Sequence, residues 1–204
     1  MGDDRHEDPI ASALLGGSQY ERLRVQRYSM FKQSIPRKLA LQGVILTALA
    51  LVLPLATTLP ASARAMFPGG APLTSAPKIL LLGAYAGALE TVAVGGLVYV
   101  GYRRIRRGDA LSEHEAEHLL TVEDVASMIS LVTGLVAVAV VDGFFLLGHA
   151  GEEAMAAFLA AGGRNPFAAA SVPVTVVDVA TAAGVLAVVA FGLSWLFTRH
   201  LPSS

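Results

Sequence analysis

Ile79 to Gly101 is a run of 23 residues without a basic side chain, and Arg103, Arg104, Arg106 and Arg107 follow it directly. As a helix it measures roughly 34 Å, enough to cross the hydrocarbon core of a bilayer. In lipid such a run has to satisfy its own backbone hydrogen bonds, which leaves the helix as its conformation. Small residues recur at every fourth position, at Gly83, Gly87, Thr91 and Gly95. A ladder of this kind lets another backbone approach closely. Glu90 follows Gly83 by seven residues, so it falls within about 20° of the same face at 100° per residue. It also sits halfway along the run.

Three more apolar blocks lie at 39–59, 125–148 and 172–197, and the chain is 54% hydrophobic and 15% charged. Soluble domains carry about 25% charged residues. The pattern predicts one all-α integral membrane domain over residues 37–200, with four transmembrane helices in an antiparallel bundle. Pro54 is expected to kink the first span. Four prolines and an adjacent glycine pair make residues 60–77 an irregular loop. A short surface helix is expected within 149–163, with Met155, Phe158 and Leu159 on one side, and Trp195 marks an interface.

Residues 1–17 read as a disordered acidic tail. Residues 18–36 read as an amphipathic juxtamembrane helix opened by a capping box, Ser18-x-x-Glu21. Tyr20, Leu23, Tyr28, Phe31 and Ile35 fall on one side, with Arg22, Arg24, Arg27 and Lys32 around the rest. Such a segment either lies on an anionic leaflet or docks under the bundle. Further capping boxes, Ser112-x-x-Glu115 and Thr121-x-x-Asp124, predict a short charged helix and then a third span from Val125.

The net charge of −1 gives no reason to expect a nucleic-acid partner. The chain has no cysteine, which excludes disulfides, thiolate zinc sites and a cysteine nucleophile. No cofactor is implied. The first 35 residues are polar, so no cleavable signal peptide is expected. Arginine outnumbers lysine twelve to three amid abundant alanine, valine and glycine, a bias of GC-rich prokaryotic genomes. Twelve basic residues fall on the side of the termini and of the 103–107 cluster, against Arg64, Lys78 and Arg164 on the other. The positive-inside rule then places both termini in the cytoplasm of a multi-pass protein of the cell membrane. Arg103, Arg104, Arg106 and Arg107 are expected to anchor this topology on anionic lipid headgroups.

Three acids lie within the expected spans, Glu90, Asp142 and Asp178. An ionised carboxylate at the bilayer centre costs roughly 2.5–3.5 kcal/mol on insertion scales. Each acid is therefore expected to be protonated, hydrogen-bonded, hydrated or holding a cation. Asp142 and Asp178 lie at matching depths on consecutive spans, where facing one another would let them share a proton or a metal ion. His149 is seven residues beyond Asp142, and Thr175 is one turn before Asp178. Together they outline a polar track from His149, through Asp142, Asp178 and Thr175, down to Glu90. Gln42 and Tyr85 are alternative hydrogen-bond partners for Glu90. The inner half offers Ser127, Ser130, Thr133 and Ser194, which suit helix contacts and do not complete a path.

Residues 114–118 read His-Glu-Ala-Glu-His. The letters match H-E-x-x-H, which in zinc metalloproteases sets two imidazoles on one helical face beside a glutamate base. Here a glutamate fills the second variable position, and the loop from Tyr102 to Thr121 is too short to build a substrate cleft. A charged, solvated helix leading into the third span explains the same letters, and adventitious metal binding by His114 and His118 ranks above catalysis. The chain thus reads as a small polytopic membrane protein with a transport-related or accessory role, its buried acids handling protons or cations. The alternative is a structural or assembly subunit, with the glycine ladder packing inside the bundle, across a homodimer or within a larger membrane complex.

Overall fold

The computed structural model describes residues 19–26, 33–107 and 110–201. The expected acidic tail lies outside these residues, as do Ser18, Arg27, Tyr28, Phe31 and Lys32 of the amphipathic segment. The described chain is all-helical, with no strands and one isolated bridge between Pro77 and Ala169. Four helices are long and apolar enough to cross a membrane: Ile35–Thr57, Ile79–Arg107, Glu113–His149 and Val176–His200. They are numbered first to fourth below. A short helix, Gln19–Gln26, precedes them.

Each long helix shows the local chemistry that starts or breaks it. Pro36 stands in the first turn of the first helix, where its missing N–H costs nothing. The same helix is interrupted at Leu51, three residues before Pro54. Proline cannot donate to the carbonyl one turn back, so the kink falls there. The third helix opens on Ser112 with both halves of a capping box in place. It then continues through Thr121, contrary to the break expected before Val125. No glycine or proline stands between Ser112 and Val125 to stop it, and the Thr121 hydroxyl donates to the Glu117 carbonyl instead. From Ile129 to Gly134 this helix widens into a π-helical segment.

The first helix packs chiefly on the fourth and the second chiefly on the third. Ser194 Oγ donates to the Pro36 carbonyl at 2.8 Å. The Phe191 ring lies so close to Gly43 that a Cβ there would meet it at 2.9 Å. Gly101 admits the Phe197 ring in the same way. The second helix also touches the first and the fourth, whereas the third and fourth share few contacts. Those two therefore flank the first–second pair from different sides.

The connections at the far end are tied together. Lys78 and Ile79 donate backbone hydrogen bonds to Ala168 and Pro166, and Ala170 donates to Ala76. Phe67 and Phe167 stack with centroids 4.4 Å apart, and Phe145 meets Phe167 edge-on. The expected surface helix is Glu152–Ala160. Met155 is buried and Phe158 meets Phe144 edge-on, but Leu159 is exposed. The outer faces of the long helices are apolar too: Val92, Val136, Val185, Val188 and Trp195 are each more than half exposed.

Candidate functional site

Glu90 is the most enclosed acid among the described residues, with no exposed surface. Its position follows from helix geometry. Gly83 packs against Val179, Leu49 and Val141, on the side that faces the bundle. Glu90 shares that side and turns its carboxyl toward the third helix. Ser130 Oγ donates to Glu90 Oε2 at 2.7 Å, and the hydroxyl itself is fully buried. Oε1 has no protein partner. It lies against Gly134, where a Cβ would collide with the carboxylate. Ser130 and Gly134 both belong to the π-helical segment. The wider turn and the missing side chain together make the room that the carboxyl fills. No lysine, arginine or histidine is paired with Glu90 among the described residues.

The glycine ladder does not stay on one face. Four residues turn a helix by about 400°, so each step drifts by about 40°. Gly83 is buried, Gly87 is half-buried, and Thr91 and Gly95 are exposed, with open space beside Gly95. Gly83, Gly87 and Thr91 line a groove of about 310 Å³ between the first, second and fourth helices, with Asp178 on its fourth-helix side. Thr91 donates its hydroxyl to the Gly87 carbonyl. Tyr85 is exposed and Gln42 is buried, and neither hydrogen-bonds to Glu90.

The outer part of the expected track comes apart. Asp178 is exposed and lies in the first turn of the fourth helix. Its Oδ2 accepts from the Thr175 hydroxyl at 2.7 Å and the Thr175 N–H at 3.0 Å, and the Thr175 hydroxyl in turn accepts from the Asp178 N–H. This is a capping box, so Asp178 and Thr175 start the helix, and the expected pairing with Asp142 does not form. Asp142 stands on the third helix, half-buried, with Oδ1 unpartnered. The Thr-x-x-Asp spelling at 175–178 carried the signal. His149 is exposed. Its Nδ1 lies 2.9 Å from the Phe145 carbonyl and its Nε2 3.0 Å from Thr58 Oγ1. A carbonyl only accepts, so Nδ1 carries the hydrogen toward Phe145, while the Thr58 hydroxyl donates to the Pro54 carbonyl at 2.9 Å.

The chain matches no protein-family model, no curated protein and no solved structure.

The arginine-rich end holds the polar cluster that the sequence did not announce. Lys38 is 2% exposed, and its Nζ lies 2.6 Å from Glu123 Oε1. The fully buried Tyr20 of the short N-terminal helix donates to Glu123 Oε2. The Arg104 guanidinium stands 4.2 Å over the Tyr20 ring and 3.5 Å from Glu21. Arg104 is therefore buried against the docked N-terminal helix and is not displayed to headgroups as expected. Arg106 is exposed over Tyr102, while Arg103 and Arg107 hold Glu115 at 3.0 and 2.6 Å. Glu115 also closes the Ser112 cap, so it is not placed as a base between His114 and His118. Both histidines are exposed, and no group of three or more metal-binding side chains forms among the described residues.

Burial pushes the Tyr20 phenol well above its ordinary value of 10.0, and the Glu123 carboxylate beside it pushes the same way. A group whose titration is raised by folding contributes fully below its unfolded value and loses that contribution as pH rises past it. Docking of the N-terminal helix should therefore hold up to about pH 10 and weaken above it. Tyr20→Phe should be looser at pH 8 and show no such alkaline step. Thermal unfolding of the two proteins across a pH series measures both.

Proposed function

We propose that this chain is a four-span protein of the cell membrane, an antiparallel bundle with both termini in the cytoplasm, in which Glu90 holds and exchanges a proton. Apolar outer faces on four long helices support the membrane reading. The excess of basic residues on the side of the termini supports the orientation.

The single observation that carries the functional reading is the setting of Glu90: fully enclosed at mid-helix, with one hydroxyl donor, one unpartnered oxygen and no paired cation. A metal cation takes several oxygen ligands. One carboxylate and one hydroxyl do not supply them, whereas a proton needs a single oxygen. Intramembrane acids facing a bundle interior mark proton and ion routes, and π-helical segments concentrate at functional sites.

The test is flux. Purified protein in liposomes should dissipate an imposed proton gradient under a potassium-clamped potential, read by an internal pH dye. Glu90→Gln should reduce that rate at least tenfold while elution from a sizing column stays unchanged. Equal rates for the wild-type and Glu90→Gln proteins would sink the reading. One observation favours a second reading, a subunit built for assembly: Thr91 and Gly95 leave a close-approach surface open on the second helix. On that reading Gly95→Leu alters oligomeric state, and no liposome shows flux.

A further inference from the structure

Below Glu90, toward the arginine-rich end, buried polar side chains form two facing rows. Glu123, Ser127 and Ser130 succeed one another on the third helix at spacings of four and three residues, which puts them on one face. Lys38 and Gln42 are four residues apart on the first helix. The Lys38–Glu123 contact at 2.6 Å sets the two rows against each other. From that contact Gln42 and Ser127 each stand one turn deeper, about 6 Å along their helices. All five side chains belong to residues no more than 2% exposed. At the deep end Ser130 donates to Glu90, and at the shallow end Tyr20 donates to Glu123.

The middle of this row is unfinished by protein. Gln42 is 1% exposed, and neither Nε2 nor Oε1 of its amide has a partner. Glu90 Oε1 is in the same condition. The Ser127 hydroxyl spends its hydrogen on the Glu123 carbonyl and keeps its lone pairs. An amide buried without partners bears its full desolvation penalty. Buried polar groups of this kind are completed by ordered water, which needs two to four such partners. Donors and acceptors on both rows supply them.

We propose that this row is a water-bearing half-path that joins Glu90 to the cytoplasmic end, with the Gln42 amide at its middle and the Tyr20–Glu123–Lys38 group closing it. Its cargo rests on the proton reading of Glu90, but its wetness does not. Among the described residues, the charged and titratable groups around it are Lys38 from the first helix, Glu90 and Arg104 from the second, Glu123 from the third, and Tyr20, Glu21 and Arg24 from the N-terminal helix.

The absence of native cysteine makes accessibility a clean test. Single cysteines are placed at Gln42→Cys and Ser127→Cys, with Ala190→Cys as the dry control. Ala190 is fully buried on the fourth helix, next to the Phe191 that packs on Gly43. Silver ion, about as small as the monovalent cations a narrow path admits, is added in nitrate buffer to the cytoplasmic face of oriented vesicles. Thiols left free are then counted by alkylation in denaturant.

Gln42→Cys and Ser127→Cys should be blocked at least tenfold faster than Ala190→Cys, and faster again with Tyr20→Ala. Ser127→Cys is nearly isosteric, so it reports even if Gln42→Cys perturbs the bundle. If both are as slow as Ala190→Cys, the half-path does not exist. Silent cysteines beside a Glu90→Gln protein that has lost flux would overturn this inference alone. Reachable cysteines beside unchanged Glu90→Gln flux would overturn the proton reading and leave the wet row standing.

Discussion

Lys38→Met should lower stability by about 3–5 kcal/mol, the loss expected when one partner of a buried ion pair is removed. Lys38 and Glu123 are both almost wholly enclosed. The variant leaves Glu123 without its ammonium partner, while the Arg104 guanidinium stays on Glu21 and the Tyr20 ring. The pair itself need not be stabilising, because desolvating two charges offsets most of their attraction. The double variant Lys38→Met with Glu123→Leu should therefore recover most of the loss. What remains is the stranded Tyr20 hydroxyl, about 1–3 kcal/mol for a buried donor left without an acceptor. Adding Tyr20→Phe should remove that remainder. Unfolding in mixed detergent micelles measures the series. Equal losses for Lys38→Met and for the double variant would show that the pair is not coupled as drawn.

Gly134→Ala should be damaging although its backbone favours alanine. Gly134 has ordinary helical angles, φ −63° and ψ −51°. On backbone grounds alanine is the better residue there by about 0.8–1.0 kcal/mol. The space decides otherwise, because the new Cβ would lie in contact with Glu90 Oε1 and 3.1 Å from its Cδ. Overpacking costs typically about 1–3 kcal/mol. The carboxyl is the movable end of its side chain, so it should yield by swinging off Ser130. Net destabilisation of about 0–2 kcal/mol then follows from those two opposing terms, together with loss of flux on the proton reading. Against a Glu90→Ala background the same Gly134→Ala change should be neutral or stabilising. That reversal of sign is the decisive measurement, and additive effects of the two substitutions would place the carboxyl elsewhere.

Several elements were legible before any coordinates because their causes are local. Apolar runs long enough to form spans, the Pro54 kink and the Ser112-x-x-Glu115 cap each depend on neighbours within one or two turns. The burial of Glu90 was legible for the same reason, since Gly83 and Glu90 share a face by periodicity alone. Reading Asp178 as an acid at depth failed although its own cap was spelled out at Thr175. There the apolar run was weighed above a local hydrogen bond. Leaving Thr121-x-x-Asp124 inside a continuous helix is the converse case, a cap spelling with nothing nearby to end the preceding turn.

The amino-acid order by itself determined that four helices would be long and apolar enough to cross a membrane, and that one would carry an acid on its packing face. Hydropathy and helical period are properties of neighbouring residues, and a neighbour is always present. Only the tertiary structure decided what each polar group meets: Lys38 with Glu123 across 85 positions, Tyr20 with Glu123 across 103, and Glu90 with Ser130 across 40. Those meetings depend on which helices pack together and on a π-helical turn that shifts one face of the third, and neither is written in any single stretch of the chain.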